Sequence, residues 1–265
     1  MVVLVRGVGD IGSAVAHSLF REGYGVVVHD DPQPTTTRRG MAFADAVFDG
    51  EAVLDQVRAV RADTLEDVMR ALDHRGAVPV YTGPLAPLLA TLGHSALVDA
   101  RVRKHAAPEV QIGYADLTVG LGPALVAGHH AHVLVETSWD ALGAVITTGA
   151  ARPLAGEPRA IAGHARDRYV YAPVDGVFRT KARIGDAVRQ GEEIAEIGAA
   201  ELPAPLDGVL RGLTHDDVPV TIGTKVIEVD PRGRAAEVRG VAERPRRIAE
   251  GVLSAIRTWE RRPPL

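Results

Sequence analysis

Apolar runs alternate with amphipathic ones through the first hundred residues. Residues 2–5 are uniformly apolar, 13–22 carry helical spacing, and 24–29 are mostly apolar again. The pattern predicts strand, helix, strand. It continues with a short helix over 42–47, a strand of imperfect alternation over 53–60, a helix over 64–74, a strand over 77–81, a short helix over 86–92 and a strand over 96–100. Thr64 and Asp67 stand at capping-box spacing, with Asp where Glu or Gln is preferred. Strands separated by helices argue for a parallel sheet with helices packed on it. Further on, 117–119, 130–136 and 143–148 read as strands, and the Pro-, Gly- and Arg-rich stretch 151–168 reads as a linker or long surface loop.

From 170 to 230 the chain repeats itself. Ala172-Pro-Val-Asp175-Gly176-Val177-Phe-Arg179 recurs as Ala204-Pro-Leu-Asp207-Gly208-Val209-Leu-Arg211, an offset of 32, and Val188 with Gly191 recurs as Val220 with Gly223. Two short β units that cannot each bury a face would close on one core. The phrases Ala172-Pro173-Val-Asp-Gly176 and Gly185-Asp186-Ala-Val188-Arg-Gln-Gly191 resemble the biotinyl/lipoyl-like barrel-sandwich family. That family carries its modified lysine between the halves, where this chain has Glu196-Ile-Gly-Ala-Ala-Glu-Leu-Pro203, so no covalent biotin or lipoate is expected. The final stretch, 245–259, has its apolar stripe (Ile248, Val252, Ala255, Ile256, Trp259) at helical spacing and is expected to pack back on a domain.

The chemistry concentrates at the first turn. Gly7-Val-Gly9-Asp10-Ile11-Gly12 follows the first strand and opens the first helix, the context in which G-x-G-x-x-G signals dinucleotide binding. Gly7 permits a tight turn, Gly9 close backbone approach to a ligand, and Gly12 close packing of helix on strand. The helix-start amides then face a phosphate. Asp30 lies 23 positions after Gly7, where an acid meets a ribose hydroxyl. Asp10, inside the loop, would repel a diphosphate if it pointed inward; it either bonds loop or helix-start amides, or points at the ligand and does chemistry or binds a cation. Arg38 and Arg39 are either phosphate contacts or a solvated pair, and Gly120-Leu-Gly122-Pro123 is either a second anion cradle or a turn. His129, His130 and His132 cluster before a strand, with Glu136 beyond. A metal there would need a further ligand from elsewhere in the fold, and none is assigned.

Composition narrows the classes. The 265 residues carry a net charge of −4, which gives no electrostatic case for nucleic acid. No apolar run reaches membrane-span length and the start lacks a signal-peptide layout, so a cytoplasmic location is expected. With no cysteine, disulfides, thiolate metal sites and thiol nucleophiles are excluded on this chain.

The ordered phrases Arg6-Gly-Val-Gly9-Asp10-Ile, Arg38-Arg39, Leu97-Val-Asp-Ala-Arg101, Val119-Gly120-Leu-Gly122-Pro123, Val135-Glu136-Thr137, Asp230-Pro231-Arg232 and Gly251-Val-Leu-Ser-Ala-Ile256 resemble the YqeB-type family, accessory proteins of selenium-dependent molybdenum hydroxylases. The resemblance implies a part in maturing or inserting the molybdenum cofactor of a xanthine-dehydrogenase-like enzyme. His132 and Glu136 match its phrases best, and with Asp10 they are the candidates for chemistry. Trp139-Asp140-Ala141 departs from the family pattern, as does 151–158.

The expected architecture is therefore α/β: a Rossmann-like parallel-sheet domain over 1–165, a small all-β barrel-sandwich (biotinyl/lipoyl-like) module over 166–233, and a C-terminal helix over 234–265. The expected function is an accessory factor that binds molybdopterin dinucleotide, or NAD, and docks its target hydroxylase. An NAD-dependent oxidoreductase and a nucleotide-sensing regulatory module are the alternatives, and self-association into a homo-oligomer stays open.

Overall fold

The computed structural model describes residues 1–93, 96–103, 107–153 and 158–262. The chain opens with β1 (Val2–Arg6), α1 (Asp10–Arg21) and β2 (Gly25–His29), then α2 (Asp45–Asp49), β3 (Glu51–Leu54), β4 (Val57–Ala62), α3 (Leu65–His74), β5 (Val78–Tyr81), α4 (Leu85–Thr91) and β6 (Ala96–Asp99). It continues through β7 (Leu117–Leu121), β8 (Val126–Ala127), β9 (Val133–Val135), β10 (Val145–Ile146) and β11 (Gly149–Ala150). The β-rich segment holds β12 (Tyr169–Tyr171), β13 (Gly176–Thr180), β14 (Ala187–Val188), β15 (Glu193–Ile197), β16 (Ala200–Pro203), β17 (Gly208–Leu213), β18 (Val218–Val220) and β19 (Lys225–Asp230), and α5 (Glu243–Glu260) follows.

The central strands are β-branched and buried on both faces, as a parallel sheet between helices requires. Val3 and Val5 of β1 face one side, with Val15, Leu19, Val252 and Ile256 of α1 and α5. Leu4 faces the other, with Val68 of α3 and Leu88 of α4. The sheet has nine strands in the order β10-β9-β7-β6-β1-β2-β5-β4-β3. From β1 the order runs through β2, β5, β4 and β3 to one side, and β6, β7, β9 and β10 build the other, so the winding reverses between β1 and β6. α3 begins as the sequence predicts: Thr64 Oγ1 accepts from the Asp67 amide, and the Asp67 carboxylate accepts from the Thr64 amide, both at 3.1 Å.

The 32-residue repeat is built into the β-rich segment. Its two four-stranded sheets, β12-β19-β17-β14 and β16-β15-β13-β18, each combine strands from both repeats. Asp175 accepts from the Ile222 amide and Asp207 from the Gln190 amide, each at 2.7 Å, so equivalent aspartates pin equivalent turns of the opposite half. One core, including Phe178, Ile197, Leu210 and Leu213, lies beneath both sheets.

The expected fold class is corrected on two points. The sheet is mixed rather than parallel, because β3 and β10 run antiparallel at its two edges. Residues 53–60 do not form one strand: Asp55 and Gln56 take positive φ of 43° and 71° and turn the chain into the β3–β4 hairpin. Nor is the β-rich segment a discrete carrier-like module. The Leu213 amide donates to Thr37 O, Arg39 Nε donates to Leu213 O, and Phe48 of α2 stacks on His215 at 4.1 Å between centroids. The architecture is a mixed α/β fold with a large sheet. Residues 154–157 of the expected linker lie outside the described residues.

α5 packs back along α1 and over β7, β9 and β10, with Ile248, Val252 and Ile256 fully buried. The approach of α1 to β1 rests on Gly12, where a Cβ would lie 1.9 Å from Gly7 O. Gly12→Ala must therefore move the loop or the helix, and the overpacking is expected to lower stability by about 3 kcal/mol. A urea titration would show a lower midpoint with unchanged slope; an unmoved midpoint would contradict this packing.

Candidate functional site

The glycine loop sits at the carboxyl end of β1, beside the reversal in strand order. Gly7 takes φ +116°, and a Cβ there would lie 3.0 Å from the backbone of Ala100 and Arg101 at the end of β6. Several loop amides are answered within the chain. Gly7 N–H donates to His29 O at 2.8 Å, Val8 N–H to Asp30 Oδ2 at 2.6 Å and Ile11 N–H to the Asp10 carboxylate at 3.1 Å. The Gly9 and Asp10 amides, at the start of α1, find no acceptor among the described residues. Asp30 thus holds the loop and the Asp31 amide. Burial raises its pKa against those two amides.

Asp10 also reaches outward. Its Oδ2 accepts from Arg38 Nη1 at 3.0 Å, and the rest of the Arg38 fork lies on the Glu228 carboxylate at 3.0 Å through Nε and Nη2. Glu228, on β19, is fully buried and further accepts from Arg168 at 2.6 Å and Lys225 at 2.9 Å. Burial alone would push its carboxyl up; Arg38, Lys225 and Arg168 override this and hold it well below the usual range. Burial lowers Lys225 despite Glu228. Arg39 turns elsewhere, to Asp45 at 2.5 Å and Leu213 O. Of the two arginines singled out in the sequence, only Arg38 comes to the loop.

Arg244, in the first turn of α5, was not foreseen. Its Nε and Nη2 donate to Thr137 O at 3.2 and 2.8 Å, and Asp10, Arg38 and Glu136 all act on its charge, although burial dominates and lowers its pKa. Arg38 is thus bonded to Asp10 at the helix start, and the charge of Arg244, held on Thr137 O, acts on Asp10 from farther off. Nothing local in the sequence marks Arg244; only the return of α5 brings it there.

Along the same sheet edge, Arg6, Asp99 and Gly120 stand side by side in register on β1, β6 and β7. Arg6 donates to Glu109 and Gln111, and Arg101 forks onto Asp99 and reaches Glu109 at 2.8 Å. Burial would raise Asp99, but Arg101 and Gln111 hold it low. A cleft of about 30 Å³ opens here between Asp99, Arg101, Glu109, Leu121 and Pro123. The Gly120 loop thus shares an edge with the Gly9 loop. Gly120 itself is a strand residue packed against Leu125 and Leu134, while Gly122, at φ +126°, turns against Val102. Motif reading of 97–101 contained Asp99 and Arg101 without assigning them a role; their partner Glu109 lies across an irregular loop.

His132 and Glu136 lie elsewhere and hold backbone. His132 Nδ1 accepts from the Thr118 amide at 3.0 Å, with its ring near Trp259. Glu136, buried, accepts from the amides of Thr137, Ser138 and Arg152 at 2.7, 2.8 and 2.9 Å. Among the described residues no group of three or more His, Asp or Glu side chains is arranged to hold a metal ion. No helix there is long and apolar enough to cross a membrane.

Glu228→Gln leaves Arg168 and Lys225 without their bonded counter-charge and Arg38 with Asp10 alone, and is expected to cost about 3–5 kcal/mol. The folded-state pKa of Glu228 lies below the ordinary 4.5, so its contribution is complete above that value and drains as pH falls through the depressed one. Wild type should therefore lose more stability than the variant as pH is lowered below about 4.5. Denaturant titrations across the acid range check this, and parallel acid limbs would contradict it.

No family model matches the chain. It is 39% identical over 258 residues, 96% of its length, to the uncharacterized protein YqeB of Escherichia coli (strain K12), and spans 47% of that protein, about half its length. Partial likenesses to solved structures include a succinylglutamate desuccinylase/aspartoacylase from Rhodobacter sphaeroides, 30% identical, with a TM-score of 0.20, covering 24% of this chain and 21% of that one. They also include a succinylglutamate desuccinylase from Silicibacter sp. TM1040, 11% identical, with a TM-score of 0.26, covering 86% and 84%. The identity to YqeB runs across nearly the whole of this chain: it belongs to the YqeB-type family.

Proposed function

We propose that this chain binds the diphosphate of a nucleotide-bearing cofactor at the start of α1. In this reading it works in the cytoplasm as an accessory protein of a molybdenum-dependent, xanthine-dehydrogenase-like hydroxylase. The observation that carries the binding step is the helix start itself. The amides of Gly9 and Asp10 lack an acceptor among the described residues, Arg38 is bonded to Asp10 beside them, and the charge of Arg244 also acts on Asp10. The position agrees, since ligands of open α/β sheets lie outside the carboxyl ends of the strands where strand order reverses.

Molybdopterin dinucleotide is the cofactor this role implies. Its diphosphate fits the donors present: two amides on the helix axis and two arginines, a fork that suits phosphate oxygens. The group that opposes it is the Asp10 carboxylate, which a diphosphate would meet at close range. The hydroxylase is proposed to dock on the β-rich segment, where Val174, Val177 and Ile222 are exposed around the turn that Asp175 pins.

Calorimetric titration with molybdopterin dinucleotide and NAD tests the reading. Saturable binding is expected, and Asp10→Asn should tighten it about tenfold, roughly 1.4 kcal/mol, by removing the opposing charge. No binding by either protein would overturn the proposal. Preference for NAD with hydride transfer would replace it with an oxidoreductase. Recovery of a molybdenum hydroxylase with the gently purified protein is the expected result for the partner; its consistent absence from a producing host would contradict docking.

A further inference from the structure

Arg211 occupies the bulge where β17 slips against β19, between the Leu210–Val229 and Gly212–Glu228 pairs. A bulge re-aims its extra side chain, and this one turns toward Glu228 and Asp230. The side chain is only 9% exposed, yet its guanidinium makes no hydrogen bond to the described residues. The two carboxylates stand 3.8 and 3.9 Å from Nη1, and Nε is buried without an acceptor. Both carboxylates are engaged elsewhere, Glu228 by Arg38, Arg168 and Lys225, and Asp230 by the fork and amide of Arg232. Arg168 Nε is likewise buried without an acceptor.

The charges do not balance. Apart from Arg232, which is partly exposed and has Glu237 acting on it as well, four cations (Arg38, Arg168, Arg211, Lys225) meet three carboxylates (Asp10, Glu228, Asp230). An excess of one positive charge beside the fully buried Glu228 and Asp230 is costly without a counter-charge. We propose that Arg211 anchors a phosphate-binding site in the β-rich segment, taking a phosphate dianion, free or carried on an organic molecule, with Arg168 and Lys225 beside it. The planar fork of arginine matches phosphate oxygens, and the lysine ammonium carries donors beyond the one on Glu228. Asp230 links Arg211 to Arg232, whose side chain is 38% exposed, so the cluster reaches solvent at Arg232. Burial lowers the Arg211 pKa, as expected for a cation held without a bonded anion. The inference stands apart from the helix-start reading, for it uses other donors on other elements.

The test is thermal melting and calorimetry with inorganic phosphate against chloride of matched ionic strength. Wild type should be stabilised saturably by phosphate. Arg211→Met should melt no lower than wild type in phosphate-free buffer while losing at least about tenfold in phosphate affinity, and Arg211→Lys, with charge but no fork, should bind at an intermediate strength. A parallel titration with a nucleoside monophosphate separates the sources: tighter binding than inorganic phosphate marks an organic ligand and equal binding a free anion, and either supports the site provided Arg211→Met abolishes it. An undiminished phosphate response in Arg211→Met, no saturable response in wild type, or unfolding of Arg211→Met in phosphate-free buffer would overturn the proposal. A phosphate response that needs Arg211, in a protein that fails to bind dinucleotides, would leave this site standing and remove the helix-start reading alone.

Discussion

The carboxylate of Glu228 joins the two sides of this molecule. It lies inside the β-rich segment, fully buried, and through Arg38 it is linked to Asp10 at the first turn of α1. An isolated carboxylate could not remain charged there, and the arginines and lysine around it would be left as costly uncompensated charges. Each charge is tolerated because the others are present, so the strap of residues 36–39, β19 and the helix start are fixed together. Thr37 O, which accepts from the Leu213 amide, extends the same join through backbone.

This arrangement changes what the glycine loop offers. A dinucleotide fold leaves its helix-start amides to the ligand. Here Asp30 takes the Val8 amide and Asp10 the Ile11 amide, which leaves the Gly9 and Asp10 amides at the centre of the turn. The loop is stiffened by its own acids, and the amides left without an acceptor are fewer but better fixed. Arg38 and Arg244 bring positive charge to a turn whose own side chain is negative.

How much of this could be read in advance follows from sequence separation. The strand, glycine loop and helix are local, and the chain writes them within a dozen residues. The 32-residue repeat was legible because equivalent residues do equivalent work: Asp175 pins Ile222 as Asp207 pins Gln190. The β3–β4 hairpin was not, since Asp55-Gln56 lacks the glycine or asparagine that usually marks two positive-φ positions. Nor was the charged network. Arg38 and Glu228 are 190 positions apart, and Arg244 reaches the loop only because α5 folds back. The charge of Arg38 stands out in the sequence, but its partners are carboxylates of this chain, Asp10 and Glu228. The direction of the edge strands is hidden for a related reason: parallel strands are announced by intervening helices, while 143–148 reads as a strand without saying that β10 runs antiparallel to β9.

The central claim is that a charge on β19 holds the first turn of α1. Amide hydrogen exchange at Gly9, Asp10 and Ile11, compared between wild type and Glu228→Gln under conditions where both remain folded, measures this most directly. The account predicts faster exchange at these amides in the variant, with α3, which makes no contact with the network, unchanged. Equal rates at the helix start would show that the glycine loop holds itself, and would contradict it.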